Sequence, residues 1–315
     1  MSFKTTIPVT VLLTAYVLSV NIPEYQSFAG KHIISLQDIV RQRLLPAVDN
    51  HLLPMFFSGT VLAEHTPAPP DSTKKRPAKD FYDLLQQGDS AFYTMNYEKA
   101  DSLYSIVLDM RPDNAAVNWR LARLYVSMGE ALSPENTEER QPYYAKAVQH
   151  AETCIGNDDH IAEGHTWLAA SLGVLADNIG PREKIKRVNS IKSELDRALE
   201  LNPEDDVALS ILGSFNREIA GMGWLEKVFA KTFLGSLPEG SYEEAEKMLK
   251  RAIASNPRVI RHYHELGKLY SDMKRYQEAV DVLQEALTKP VLMKSDERRL
   301  KNIRTLIKKL SRKID

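Results

Sequence analysis

Three of the chain's eight histidines fall close together. His150, His160 and His165 flank Asp158, Asp159 and Glu163, and imidazole with carboxylate is a donor set that suits a divalent metal. Their placement argues against a metal centre, because they straddle a turn between two expected helices and share no face. They are expected to be solvated side chains at the surface. His262 and His264 stand two apart, which on a helix points them to different faces. Cys154 is the single cysteine, so an intrachain disulfide is impossible and a cysteine-based zinc site has too few ligands. The acid pair Glu243-Glu244 reads as an exposed helix face. No glycine-rich phosphate loop and no Gly-x-Ser-x-Gly elbow is present. No catalytic, metal or cofactor site is expected, and the chain reads as a non-enzyme.

Composition points the same way. Hydrophobic residues make up 43% and charged residues 26%, which suits a packed fold and argues against global disorder. A formal charge of -1 gives no overall field for nucleic acid, which is not expected as a partner. Charge-driven binding must come from a local patch.

The elements that would position such a patch follow from an internal period. Gly88, Ala100, Tyr104, Val107 and Pro112 recur as Gly267, Ala279, Leu283, Ala286 and Val291, at intervals of 12, 4, 3 and 5. The last three intervals return in Ala147-Ala151-Cys154-Asp159, Ile191-Leu195-Ala198-Pro203 and Ala245-Leu249-Ala252-Pro257. From each turn residue to the next small residue is ten, as in Pro112 to Ala122 and Pro203 to Gly213. Two antiparallel helices packed closely at small residues explain this spacing, with Tyr104, Leu266 and Leu283 filling the space beside the crossing. Proline at the turn stops the second helix. Such a unit cannot bury its apolar face alone, so neighbours must stack. The sequence predicts an all-α solenoid of about five helical pairs from about 80 to 291, then a capping helix. Against the unbroken 12, the second, third and fourth pairs carry 13, 10 and 20 extra residues between their helices. Glu135 to Gln141 reads as a surface loop, Gly180-Pro181 as the break between two lengthened helices, and Met222 to Leu234 as an added short helix that folds back on its neighbours.

In motif order and interval the unit resembles the tetratricopeptide repeat. A narrower resemblance rests on Trp119-Arg120-Leu121-Ala122-Arg123, His165-Thr166-Trp167 and Ala198-Leu199-Glu200-Leu201-Asn202-Pro203. Leu212-Gly213, Gly223-Trp224-Leu225 and Ala230-Lys231-Thr232-Phe233 extend it. Over roughly residues 80 to 290 the chain is similar to the regulator of microtubule dynamics family. That resemblance implies a helical solenoid and, in animal members, association with microtubules or organelle membranes. Bacterial members also exist, so the family name is not itself a function.

The repeat pattern carries groove places onto the first helix of each pair, along one face of a 3.6-residue helix. Here they hold Leu85, Asp89 and Phe92; Trp119 and Arg123; Glu163 and Thr166; Ser210, Ser214 and Arg217; Arg261, His264, Lys268 and Ser271. Aromatic, Arg and small polar residues together suit a protein or peptide ligand. Repeats of this kind that clamp chaperone tails hold a carboxylate with Lys and Asn; Asp89 at such a place would repel it. Residues 294 to 313 form the most charged segment, with nine Lys or Arg against Asp296 and Glu297. Leu300, Ile303, Ile307 and Leu310 give it an apolar stripe. It is expected to cap the array, and Arg298, Arg299, Lys301, Arg304, Lys308 and Lys309 offer a basic face to tubulin tails, anionic lipid or RNA.

Upstream, Lys4 precedes an apolar run from Ile7 to Val20, and Ser27-Phe28-Ala29 supplies small residues for cleavage. Residues 1–30 read as a signal peptide or membrane anchor, too short to span a bilayer of about 30 Å comfortably. Leu52 to Ala63 is a second apolar stretch broken by Pro54 and Gly59. Residues 31–79 form a leader ending in a proline-rich linker, and 80–315 the repeat domain. Two functions follow as expectations: a protein-binding scaffold, exported or membrane-anchored or else microtubule-associated, and a carrier of a small molecule or lipid in a groove closed by the insertions. An enclosed apolar cavity favours the carrier; an open polar groove favours the scaffold.

Overall fold

The computed structural model describes residues 78–223, 227 and 237–314. The expected leader, linker and most of the added helix at Met222 to Leu234 lie outside the described residues. Eleven α-helices and no strand are present among those described. They pair as α1 (Ala78–Tyr93) with α2 (Tyr97–Met110), α3 (Ala115–Ala131) with α4 (Thr137–Asn157), and α5 (Ala162–Ile179) with α6 (Pro181–Leu201). Next come α7 (Asp206–Gly221) with α8 (Tyr242–Ser255), and α9 (Ile260–Asp272) with α10 (Tyr276–Ala286), followed by α11 (Lys294–Ser311). This is the expected solenoid of five pairs and a cap.

Turn chemistry sets the boundaries. Asn96, Asn114, Asp205 and Ser241 accept from the backbone N–H three residues on, capping α2, α3, α7 and α8. Met95 and Lys274 both adopt positive φ, 59° and 61°. They occupy equivalent places in the two unbroken pairs, where the chain must reverse within three residues. Gly180, at φ 132°, turns α5 directly into α6, and Pro181 opens α6 with a preset φ.

The small residues sit where the spacing requires. Ala100, Ala147, Ala245 and Ala279 are fully buried. A β-carbon on Gly267 would lie 2.5 Å from Leu283, and one on Gly213 would lie 2.6 Å from Leu249. Gly88 meets the ring of Tyr104 in the same way. Glycine is therefore the side chain these crossings admit. The core runs along the array in two clusters. One extends from Phe81 to Leu212, and the other joins Leu249, Tyr263, Leu269 and Leu283 to Ile303 and Leu310 of the cap.

The expected loop at Glu135 to Gln141 is a correction. Helix α4 begins at Thr137, and Glu138 and Glu139 stand in its first turn, where carboxylates complement the helix dipole. The extra residues lengthen α3 and α4 rather than forming a long loop.

The superhelix also returns on itself. Helix α11 packs on α9 and α10 and also against α3. Arg298 donates to the carbonyls of Glu130 (2.6 Å) and Leu132 (2.9 Å), satisfying acceptors that the end of α3 leaves open. The Lys294 ammonium lies 3.6 Å from Glu98, and Arg261 pairs with Glu130 across 131 residues. The last pair and the cap are thus tied to the second pair, and the cap also to the first, around the concave side.

Candidate functional site

The expected groove residues fall into two clusters. At the amino-terminal end, Asp89 accepts from Tyr104 Oη at 2.6 Å and pairs with Arg120 (2.9 Å) and Arg123 (3.0 Å). Arg123 lies over the rings of Phe92, Trp119 and Tyr93 at 3.9, 5.0 and 5.1 Å and is buried. Arg120 also lies over the Trp119 ring, at 4.2 Å. Two guanidinium groups neutralise Asp89, so it presents no lone negative charge to a carboxylate, contrary to expectation. Leu85, Phe92 and Arg123 are buried in packing contacts and are not open groove positions. Thr166 is likewise buried; its hydroxyl donates to Asp205 at 2.8 Å, tying α5 to the cap of α7. Some first helices of neighbouring pairs touch, as α3 with α5 and α7 with α9, which turns places on them into helix–helix contacts.

At the carboxyl-terminal end Arg217, Arg261, His264 and Lys268 come together with residues the repeat pattern does not mark. Arg217 bridges α7 to Asp272 of α9 at 2.8 Å and faces Glu265 at 3.8 Å. Lys268 pairs with Glu265 at 2.9 Å, and Arg261 with Glu130 at 2.5 Å. Burial opposes charge on Glu265, but Lys268, His264 and Arg217 outweigh it and hold its carboxyl at about 2. Glu130 is held below the ordinary carboxylate range in the same way, with Arg261, Arg299 and Arg298 overcoming burial. His264 is pushed down to about 4, first by burial and then by Lys268, Arg299 and Arg261 against the pull of Glu265. It is neutral at pH 7.

The basic helix divides. Arg298 and Arg299 turn inward, Arg299 onto the buried Asp296 at 2.5 Å. Asp296 also accepts from the backbone N–H groups of Leu292 and Met293 at 3.1 Å and so caps α11. Lys301, Arg304, Lys308 and Lys309 are exposed and form no ion pair among the described residues. Extending the stripe from Ile303 back by four reaches Arg299, which was the available signal for its inward turn.

Between these clusters the concave side holds a cavity of about 610 Å³. Val174, Ile185, Val188, Ile211, Phe215 and Ile219 form an apolar wall, and Arg261, Glu265, Lys268 and Arg299 form its charged end. Val174, Ile211 and Phe215 are half-buried, leaving apolar surface open. Ser210 and Ser214, both expected groove residues, line it too; the buried Ser210 hydroxyl has no partner among the described residues. The wall is drawn from α5, the first half of α6 and α7, where Ile211 and Phe215 stand next to the marked places Ser210 and Ser214.

The histidine cluster does not converge. His150 bonds Asn118 at 2.9 Å, His160 is exposed, and His165 spends both ring nitrogens on Glu194 (2.6 Å) and the Asp159 carbonyl (2.9 Å). No group of residues that could hold a metal occurs among the described residues. Among those residues, no helix is long and apolar enough to cross a membrane.

Comparison with known proteins agrees with this architecture. A solved tetratricopeptide-repeat protein of Thermus thermophilus superposes with a TM-score of 0.51 at 18% identity, covering 73% of this chain and 98% of that one. Regulator of microtubule dynamics protein 1 of Bos taurus is 27% identical over 217 residues, 68% of this chain and 67% of the relative. Protein 2 of Homo sapiens is 28% identical over 205 residues, and protein 3 of Bos taurus 27% over 246. The chain spans about half the length of these last two, 48% and 51%. The family model for regulator of microtubule dynamics protein 1-3 matches residues 84–311, a span that takes in nearly all of the five helical pairs and the whole cap, and the chain belongs to that family.

Proposed function

We propose that this chain is a non-catalytic scaffold whose concave cavity holds a segment of another protein. The observation that carries the reading is the half-buried apolar wall of Val174, Ile211 and Phe215 beside the cationic groups of Arg261 and Lys268. An apolar wall with a few charged groups at one end is the composition of a recognition site. A partner's apolar side chains seat against the wall, and its polar groups meet the ion-paired end formed by Arg261 with Glu130 and Lys268 with Glu265. The relatives' name makes microtubules the first partner to test. Co-sedimentation of the full chain with microtubules is expected to fall at least about tenfold in the I211E/F215E variant, since each buried charge costs more than about 1.4 kcal/mol. Equal sedimentation of both proteins, each with a wild-type circular dichroism spectrum, would remove the cavity from microtubule contact.

One observation favours a second reading as a carrier. The buried Ser210 hydroxyl, without a partner among the described residues, lines a largely apolar space of about 610 Å³, which matches a single small-molecule ligand. Mass spectrometry of organic extracts from the purified chain separates the two. A stoichiometric ligand lost in I211E/F215E supports the carrier, and an empty extract supports the scaffold.

A further inference from the structure

The outward face of α11 is a second interaction surface, distinct from the concave cavity. Lys301, Arg304, Lys308, Lys309, Arg312 and Lys313 are all exposed. Among the described residues none of them is ion-paired, and only Lys313 has a partner, the ring of Tyr276 at 4.8 Å. The two acids of the helix sit at its opposite end, where Asp296 is consumed by Arg299. On neighbouring α10, Glu278 and Glu285 pair with Arg275 and Lys289, and Asp281 accepts from Gln277. Nearby carboxylates therefore do not neutralise the stripe.

Lys301, Arg304, Lys308 and Arg312 follow one another at three, four and four residues, a straight line along one helix face. Ile303 and Leu310 are wholly buried beneath it, fixing which face looks outward. Among the described residues, the one ring recorded against these cations is that of the half-buried Tyr276. At the end of the line Ile314 is 42% exposed. A row of long, unpaired cations on a convex helix, with one apolar side chain at its tip, fits a plane of negative charge.

We infer that α11 docks the domain on an anionic phospholipid surface through its headgroup phosphates. The full chain is tested by flotation with phosphatidylcholine vesicles, with and without about 30 mol% phosphatidylglycerol. Each cation near such a surface strengthens binding several-fold, so the anionic vesicles are expected to bind at least about tenfold more tightly. The charge reversal K301E/R304E/K308E/K309E removes that increment and leaves the thermal melt unchanged, as does about 0.5 M salt. Any binding through residues 1–77 is common to both proteins and cancels when the two are compared on the same vesicles. Equal binding of both proteins to anionic vesicles overturns the inference. So does capture of the wild type by polyglutamate with no preference for anionic vesicles, which assigns the face to an acidic polypeptide instead.

Discussion

Replacing Glu130 by alanine tests whether the superhelix is held closed by charge. Its carboxylate is 14% exposed and meets the Arg261 guanidinium, 24% exposed, at 2.5 Å. Removing one partner of a fully buried pair costs about 3–5 kcal/mol, whereas a surface pair contributes about 0–1 kcal/mol. Partial exposure places Glu130 between these, near 2 kcal/mol lost. One effect opposes this: Glu130 is next to last in α3, and a carboxylate at the negative end of a helix dipole costs about 0.5 kcal/mol. The net loss is about 1.5 kcal/mol, which lowers the melting temperature by about 3–6 °C in a domain of this size. Arg261→Met lowers it similarly, and the double variant loses less than the sum, with about 1 kcal/mol of coupling. Small-angle scattering shows a larger radius of gyration in both single variants as the ends separate. The carboxyl is held below its ordinary value, so its contribution is complete above the unfolded pKa of about 4.3 and fades as pH falls below it. A melting temperature within about 1 °C of wild type, additive variants and an unchanged radius would refute the clasp.

Three further outcomes follow from the packing. Gly267→Val drives a side chain into Leu283 and is expected to cost about 1–3 kcal/mol, read by urea denaturation with an unchanged m-value. Asp205→Ala removes the cap of α7 and the acceptor of Thr166, costing about 1–2 kcal/mol in the same assay. His264, with a folded pKa of about 4, titrates by NMR well below the ordinary histidine. Because the unfolded imidazole protonates first, stability falls as pH drops from about 6.5 towards 4, and His264→Gln flattens that part of the profile.

Much of the fold was legible because close helix crossings tolerate few residues. Gly88, Ala100, Gly267 and Ala279 must be small, and their spacing repeats whatever the rest of the sequence does. Curvature was not legible. It accumulates from small rotations between pairs and from the lengthened α3 to α6, and no local pattern encodes that Glu130 will meet Arg261. Leu85, Arg123 and Thr166, placed in an open groove by the repeat pattern, proved to be packing residues. Ser214, Arg261 and Lys268 line the cavity, while Arg217 pairs with Asp272 and His264 is outside its lining. The apolar wall was missed because Ile211 and Phe215 read in sequence as ordinary core positions. The six outward cations of α11 were legible as charge, and Arg299's inward turn could be read from the apolar stripe, while Arg298 needed the backbone to show it turning inward.

A photo-crosslinking residue at Phe215, with a matched one at the exposed Glu200 of α6, tests the cavity most directly. Irradiated with native extract, Phe215 is expected to give a discrete protein adduct that excess unlabelled wild-type chain competes away, and Glu200 to give none. Adducts of equal yield at both positions, or none from the cavity, would contradict a binding site on the concave face.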